Sequence, residues 1–319
     1  MHHLVSLAEW TREQVEEVVR LGLLVKAEPG RFSAALRGRI LLMMFEKVSL
    51  RTRLSFEAAM VQCGGHAVFY DLSDSPLGKG KETPGDTARV ASRFVAAIMA
   101  RLYRQEDLVE MSRHATVPVI NGLTDAEHPC QALADMLTLR ERFGRLAGVK
   151  LAYVGDGNNN VTHSLLDACS RAGVHLSIAC PEAEEYLPRP GIVGRAFRTA
   201  AATGARVEIT HDPVVAVHSA DAVYTDTWTS YHHGAETREE RHRALVPYRV
   251  TEKLMGKAGR DAVFLHCLPA ERGAEVEAAV LDGPRSHVLD QAENRLHAQK
   301  ALLLLLLAPE AAHHPVARK

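Results

Sequence analysis

Paired cysteines, a segment long enough to cross a bilayer, an excess of charge of either sign and a complete glycine-rich nucleotide loop are all missing from this 319-residue sequence. Each absence closes off a class of protein. The five cysteines (Cys63, Cys130, Cys169, Cys180 and Cys267) are odd in number and widely spaced, with no C-x-x-C pair. This argues against a disulfide framework and against a zinc site, and it suits a reducing cytoplasm. With 38 Lys and Arg against 39 Asp and Glu the formal charge is −1, so no global field draws in nucleic acid or an anionic membrane. Any anion must be held by local groups. The apolar run at 301–308, with its six leucines, falls far short of the roughly 20 residues that span a bilayer. It reads as the buried face of a last helix or as a subunit contact. No basic stretch leads into an apolar core at the start of the chain, so no signal peptide is expected. Among the 17 histidines the pairs at 2–3, 232–233 and 313–314 are chain neighbours, which do not share a helix face, and no metal site is expected.

What is present is an ordinary globular composition, 46% hydrophobic and 24% charged, on a chain longer than one core usually fills. Short apolar runs rich in Val, Ile and Phe alternate with segments of helical period, the pattern of a parallel sheet covered on both faces. Strands are expected at 40–45, 67–70, 96–100 and 117–120, then a long helix at 129–143 with breaks at Gly144 and Gly148. A second series is expected at 149–154, 174–180, 206–209, 222–224 and 262–265. The fold class is therefore α/β, with two doubly wound parallel-sheet domains linked by interdomain helices. The domains are expected at 1–143 and 144–290, with a final helix from about 291 to 319 returning to the first. Ligands in such sheets bind beyond the carboxyl ends of the strands, so the residues after each strand are where chemistry is sought.

After the first strand, Ser49 stands at an N-cap and Leu50, Arg51, Thr52 and Arg53 open a helix. Free N–H groups at a helix start favour an anion, and Arg51 adds donors suited to phosphate. Cations in a first turn oppose the helix dipole, which makes an anion the better partner than Glu57 or solvent. Arg53 is assigned to structure, because it can reach Glu57 four positions on. Arg101 comes after the third strand. His128 precedes Pro129 at a helix start, and Gln131 lies one turn further on. Thr52, Arg101 and His128 supply three donors from three strand ends, as polarising one carbonyl oxygen requires. In the second series Gly155-Asp156-Gly157 is followed by Asn158, Asn159 and Asn160, without the third glycine of a dinucleotide loop. Three asparagines suit a small zwitterion instead. Asp226, at a later strand end, suits an ammonium group. Cys267 has no His at a spacing recognisable for a nucleophile, and His266 is expected on the opposite side of an extended chain. Arg295 opens the last helix.

Together these segments resemble the aspartate/ornithine carbamoyltransferase family, and within it the ornithine branch. The family's Ser-x-Arg-Thr-Arg is similar to residues 49–53, its His-Pro-x-Gln to 128–131 and its His-Cys-Leu-Pro to 266–269, the last separating the ornithine from the aspartate branch. Residues 290–296 also resemble the ornithine branch, and the likeness covers nearly the whole chain. It implies a carbamoyl phosphate domain at 1–143 and an amino-acid domain at 144–290. It implies that Ser49, Leu50, Arg51 and Thr52 hold the phosphate with Arg101, and that Thr52, Arg101 and His128 polarise the carbonyl. Gln131 and the backbone carbonyls of Cys267 and Leu268 would hold the amino group, and Arg295 would close the site. For L-ornithine the matching positions are Asn160, Asp226, Ser230 and Tyr231, with Cys267 and Asp226 positioning the attacking amine. The resemblance implies no metal or organic cofactor, a cytoplasmic homotrimer or multiple of trimers, and arginine biosynthesis or the reverse direction.

The sequence departs from the family pattern at Val48, where Pro is usual, and at Leu50, where Thr is usual. Pro76 stands where the ornithine branch has a glutamine, with Lys79 or Lys81 as alternative phosphate ligands. Tyr231, His232 and His233 replace the Met-Gly that comes after Ser in the substrate loop. Those changes leave open a different acceptor amine, such as an acylated ornithine or a diamine, or a paralogue that binds without turnover.

Overall fold

The computed structural model describes residues 3–73, 75–229 and 235–313. The chain divides into two compact units, one formed by Met1–Leu137 with Glu293–Lys319 and the other by Thr138–Ala292. The division falls within the helices Pro129–Phe143 and Val288–Leu307.

The first unit is a four-stranded parallel sheet of β1 (Ile40–Phe45), β2 (His66–Asp71), β3 (Ala97–Arg101) and β4 (Val119–Leu123) in the order β2-β1-β3-β4. β1 is a continuous apolar run because it lies between two neighbours and is covered on both faces, whereas β2 is the sheet edge and its residues are mostly exposed or half-buried. β4 runs on through Asn121 and Gly122, past the end of the strand expected at 117–120. Asn121 is completely buried, with its side-chain amide donating to the Val5 carbonyl at 2.9 Å, so the amide nitrogen is satisfied where the strand continues. The helix expected from about 291 starts at Val288, three residues earlier, and buries Leu302 to Leu305 completely or nearly so; it ends at Leu307, and a short helix, Pro309–His313, follows.

The second unit is a five-stranded parallel sheet of β5 (Lys150–Val154), β6 (His175–Ala179), β7 (Val207–Thr210), β8 (Ala222–Thr225) and β9 (Val263–His266), ordered β7-β6-β5-β8-β9. The strand order thus reverses once in each sheet, between β1 and β3 in the first and between β5 and β8 in the second. At such switch points the connecting chains leave in opposite directions and open a crevice at the strand carboxyl ends. The α/β, two-sheet reading of the sequence is borne out.

Candidate active site

In the first unit the crevice is built from three strand ends and the helix Val288–Leu307. Ser49 caps the helix Leu50–Gln62, its Oγ accepting from the Thr52 N–H at 3.3 Å, and no acidic residue sits in the first turn to neutralise the open N–H groups. Leu50 is 69% exposed, so the position offers its backbone rather than its side chain. Arg53 turns away, pairing with Glu57 at 2.9 Å and stacking its guanidinium 4.0 Å from the centroid of Phe69, as its spacing predicts. Arg101 ends β3. His128 immediately precedes the helix Pro129–Phe143, and its carbonyl accepts from the Gln131 and Ala132 N–H groups.

Arg295 binds this cluster together from the helix Val288–Leu307. Its Nη1 donates to Gln131 Oε1 at 2.8 Å and lies 3.5 Å from His128 Nε2, while Nη2 donates to Thr52 Oγ1 at 3.4 Å. Gln131 in turn donates from Nε2 to Asp135 Oδ1 at 2.8 Å, which fixes its amide with oxygen toward Arg295. Gln299, oriented to donate to Ser55 Oγ, accepts from Arg295 Nε at 3.2 Å. Thr52, His128, Gln131, Asp135 and Arg295 are all buried. Burial first, and then the positive charges of Arg295, Arg101 and Arg51, hold the His128 imidazole well below its ordinary 6.5. At neutral pH the ring is therefore uncharged, and it can donate one N–H to an oxygen without adding to the cationic charge. Asp135 and Gln299 are not singled out by the sequence, although each lies four residues from the group it orients.

The altered loop after β2 closes on itself. Ser75 Oγ donates to the Leu72 carbonyl and accepts from the Gly78 N–H, and a Cβ at Gly78 would fall 1.8 Å from the Leu72 oxygen. Pro76 is exposed there, as are Lys79 and Lys81.

In the second unit the helix Asn160–Ala172 begins directly after the β5 loop. Asn159 caps it by accepting from the Thr162 N–H at 2.8 Å and donates to Tyr153 Oη at 2.7 Å. Asn160, half-buried, is the first helical residue. After β8, Asp226 Oδ1 accepts from the Cys267 thiol at 3.0 Å, so these two expected acceptor groups do meet. Ser230 and Tyr231, with His232 and His233, lie outside the described residues.

His266 is a correction. Strand alternation placed it away from Cys267, but β9 ends at His266 and Leu268 adopts φ +58, its N–H donating to His266 Nδ1 at 2.8 Å. The turn brings a ring nitrogen of His266, the Cys267 sulfur and an Asp226 oxygen within 4.8 Å of one another. Both ring nitrogens already face protein groups, since Nε2 lies 3.3 Å from Glu275 Oε1, though not aligned for a hydrogen bond. The arrangement reads first as a held thiol and carboxylate.

The sequence carries both halves of one family. The profile described as aspartate/ornithine carbamoyltransferase, carbamoyl-P binding domain, matches residues 2–141, and the corresponding Asp/Orn binding domain profile matches residues 147–306. An ornithine carbamoyltransferase of Symbiobacterium thermophilum is 52% identical over 306 residues, covering 95% of this chain and 97% of the relative. An anabolic ornithine carbamoyltransferase of Pyrococcus furiosus is 47% identical, covering 95% and 96%. The solved ornithine carbamoyltransferase structures from Pyrococcus furiosus and Thermus thermophilus superpose with TM-scores of 0.91 and 0.85 at 47% and 42% identity, covering 96% of this chain and 97% and 98% of theirs. A two-sheet parallel α/β transferase is the class that fold and crevice define. The chain belongs to the aspartate/ornithine carbamoyltransferase family.

Proposed function

We propose that this protein transfers the carbamoyl group of carbamoyl phosphate to the side-chain amine of L-ornithine, giving L-citrulline and phosphate. The observation that carries the reading is the buried cluster in which Arg295 joins Thr52, Gln131 and His128 beside Arg51 and Arg101. Phosphate is held at the capped helix start by the N–H groups at 49–52 and by Arg51 and Arg101. Thr52, Arg101 and neutral His128 donate to the carbamoyl oxygen, and Gln131 orients the amino group. The ornithine α-amino and carboxylate groups fall to Asn160 and Asp226, and Cys267 helps Asp226 hold the attacking amine. That amine, with a free pKa of about 10, must be neutral to attack. As the tetrahedral oxyanion collapses, the C–O bond to phosphate breaks and the leaving phosphate accepts the proton released by the amine. No resident cofactor enters this sequence of steps. The test is citrulline formation by the purified chain, run against a panel of amines; turnover of an acylated ornithine or a diamine with none of ornithine overturns the acceptor assignment.

A homotrimer in the cytoplasm, serving arginine biosynthesis, belongs to the same proposal. No helix among the described residues is long and apolar enough to cross a membrane, and the five cysteines are free thiols. Val48 and Val61 are 89% and 65% exposed, Leu50 and Leu54 are exposed beside them, and Val68 and Tyr70 are exposed on the neighbouring edge strand β2. So much uncovered apolar surface fits a partner copy better than water. Light scattering is expected to give three chains per particle, and Val61→Asp to release monomers.

A further inference from the structure

We infer that Arg241 is a positioning residue for the acceptor crevice, one guanidinium tying the loop after β5 to the loop after β8 across the switch point. β5 and β8 are paired neighbours, with Tyr153 opposite Tyr224, yet the chain beyond one goes to β6 and beyond the other to β9. The ladder fixes the strands and stops where the loops diverge. Arg241 belongs to neither loop. It comes from the helix Ala235–Leu245, where residues 237–240 are exposed and Leu245 is fully buried one turn on. Its Nε donates to the Trp228 carbonyl at 2.8 Å, and Nη2 donates to Asp156 Oδ2 at 2.5 Å.

Both anchor points lead directly to acceptor groups. Asp156 accepts from the Asn158 N–H at Oδ1, and its carbonyl accepts from Asn159 Nδ2 and Thr162 Oγ1, so it sets the start of the helix that bears Asn160. Trp228 is two residues beyond Asp226 and buried among Tyr186, Leu245 and Ala274. The guanidinium also lies 5.2 Å from the Tyr186 ring centroid. Side-chain exposures of 16% for Arg241 and 8% for Asp156 leave water little room to replace the pair. Burial raises the Asp156 carboxyl above its usual range, and the charge of Arg241 opposes that rise. A planar fork presents its donors to two acceptors at fixed angles, whereas a lysine offers one flexible ammonium.

The inference rests on the proposed transfer to ornithine, and its test separates the two. Arg241→Gln, Arg241→Lys, Asp156→Asn and the double variant Arg241→Gln/Asp156→Asn are compared with the wild-type chain. The ornithine KM is expected to rise about tenfold or more in Arg241→Gln and in Asp156→Asn, because small displacements of binding groups carry large kinetic costs. Arg241→Lys falls between, and the double variant is no worse than the worse single one, as coupled residues require. Carbamoyl phosphate binding, measured by calorimetry, stays within about twofold of wild type, a difference within ordinary non-coupling. Hydrogen exchange at 156–162 and 226–229 accelerates together in Arg241→Gln, while 49–52 is unchanged. Parallel loss of carbamoyl phosphate binding, unchanged ornithine KM in an active enzyme, or exchange rising at one loop alone overturns the tie. An inert wild type whose two loops still loosen together would instead remove the functional reading and leave the tie standing.

Discussion

The carboxyl ends of the two sheets are built on different plans. In the first unit the polar side chains bond to one another and are buried, so that Arg295, Gln131, Thr52 and Asp135 form one network with the His128 ring beside it. In the second, Asn160 and Cys267 are half-buried, and the links fall into two groups: the Cys267 thiol to Asp226, and a run from Arg241 through Asp156 and Asn159 to Tyr153. The chemistry assigned to each explains the contrast. A small anion whose charge redistributes during reaction is best met by donors already fixed in a dry site, where they need no reorganisation. An amino acid with three polar groups needs separate anchors.

The sharpest way to break the comparison is Arg295→Ala. It removes a charge and leaves the buried Gln131 amide oxygen and Thr52 hydroxyl without their donor, so we expect kcat/KM to fall by about three orders of magnitude or more. A loss under tenfold in steady-state rates at saturating ornithine would show that the first network is not preorganised for the reaction. His128→Ala removes one polarising donor and is expected to lower kcat by about two to three orders of magnitude with little change in ornithine KM. Asp226→Asn tests the other plan. Losing one charge-assisted contact costs about 1.5–3 kcal/mol, so ornithine KM is expected to rise roughly ten- to hundredfold while carbamoyl phosphate affinity measured by calorimetry holds. Equal losses for both substrates would erase the distinction between the units.

Much of this contrast is legible in the amino-acid sequence. The strands stand out as apolar runs because parallel strands are covered on both faces, and Ser49, Arg51, Thr52, His128 and Gln131 lie just beyond strand ends, where such sheets bind their ligands. The orienting groups are harder to see. Asp135 and Gln299 hide among ordinary helix polar residues, and only their i, i+4 spacing from Gln131 and Arg295 hints at them. Arg241 sits in a charged run indistinguishable from a solvated helix face, and its contact with Asp156 spans 85 positions. His266 misleads because alternation holds only while a strand lasts, and the strand stops at that residue.

The smallest expected effect tests the burial of the first network through stability. In the folded protein His128 has its pKa held well below 6.5 by burial and by Arg295, Arg101 and Arg51, whereas in the unfolded chain it titrates near that value. Above 6.5 neither state binds the proton and the residue contributes no slope. As pH falls below 6.5 the unfolded chain takes up a proton that the folded one refuses, and stability drops by up to about 1.4 kcal/mol per pH unit until the folded pKa is reached. His297 adds a slope of the same sign, since burial lowers its pKa too, so the wild-type curve alone does not isolate one ring. Comparison with His128→Asn does. Urea unfolding at pH 7.5, 6.5 and 5.5 is expected to show a shallower acid loss in the variant, by about 1 kcal/mol at the lowest pH. Identical slopes would mean that the His128 ring gains a proton as readily in the fold as outside it, and with that the uncharged donor beside three arginines would have to be abandoned.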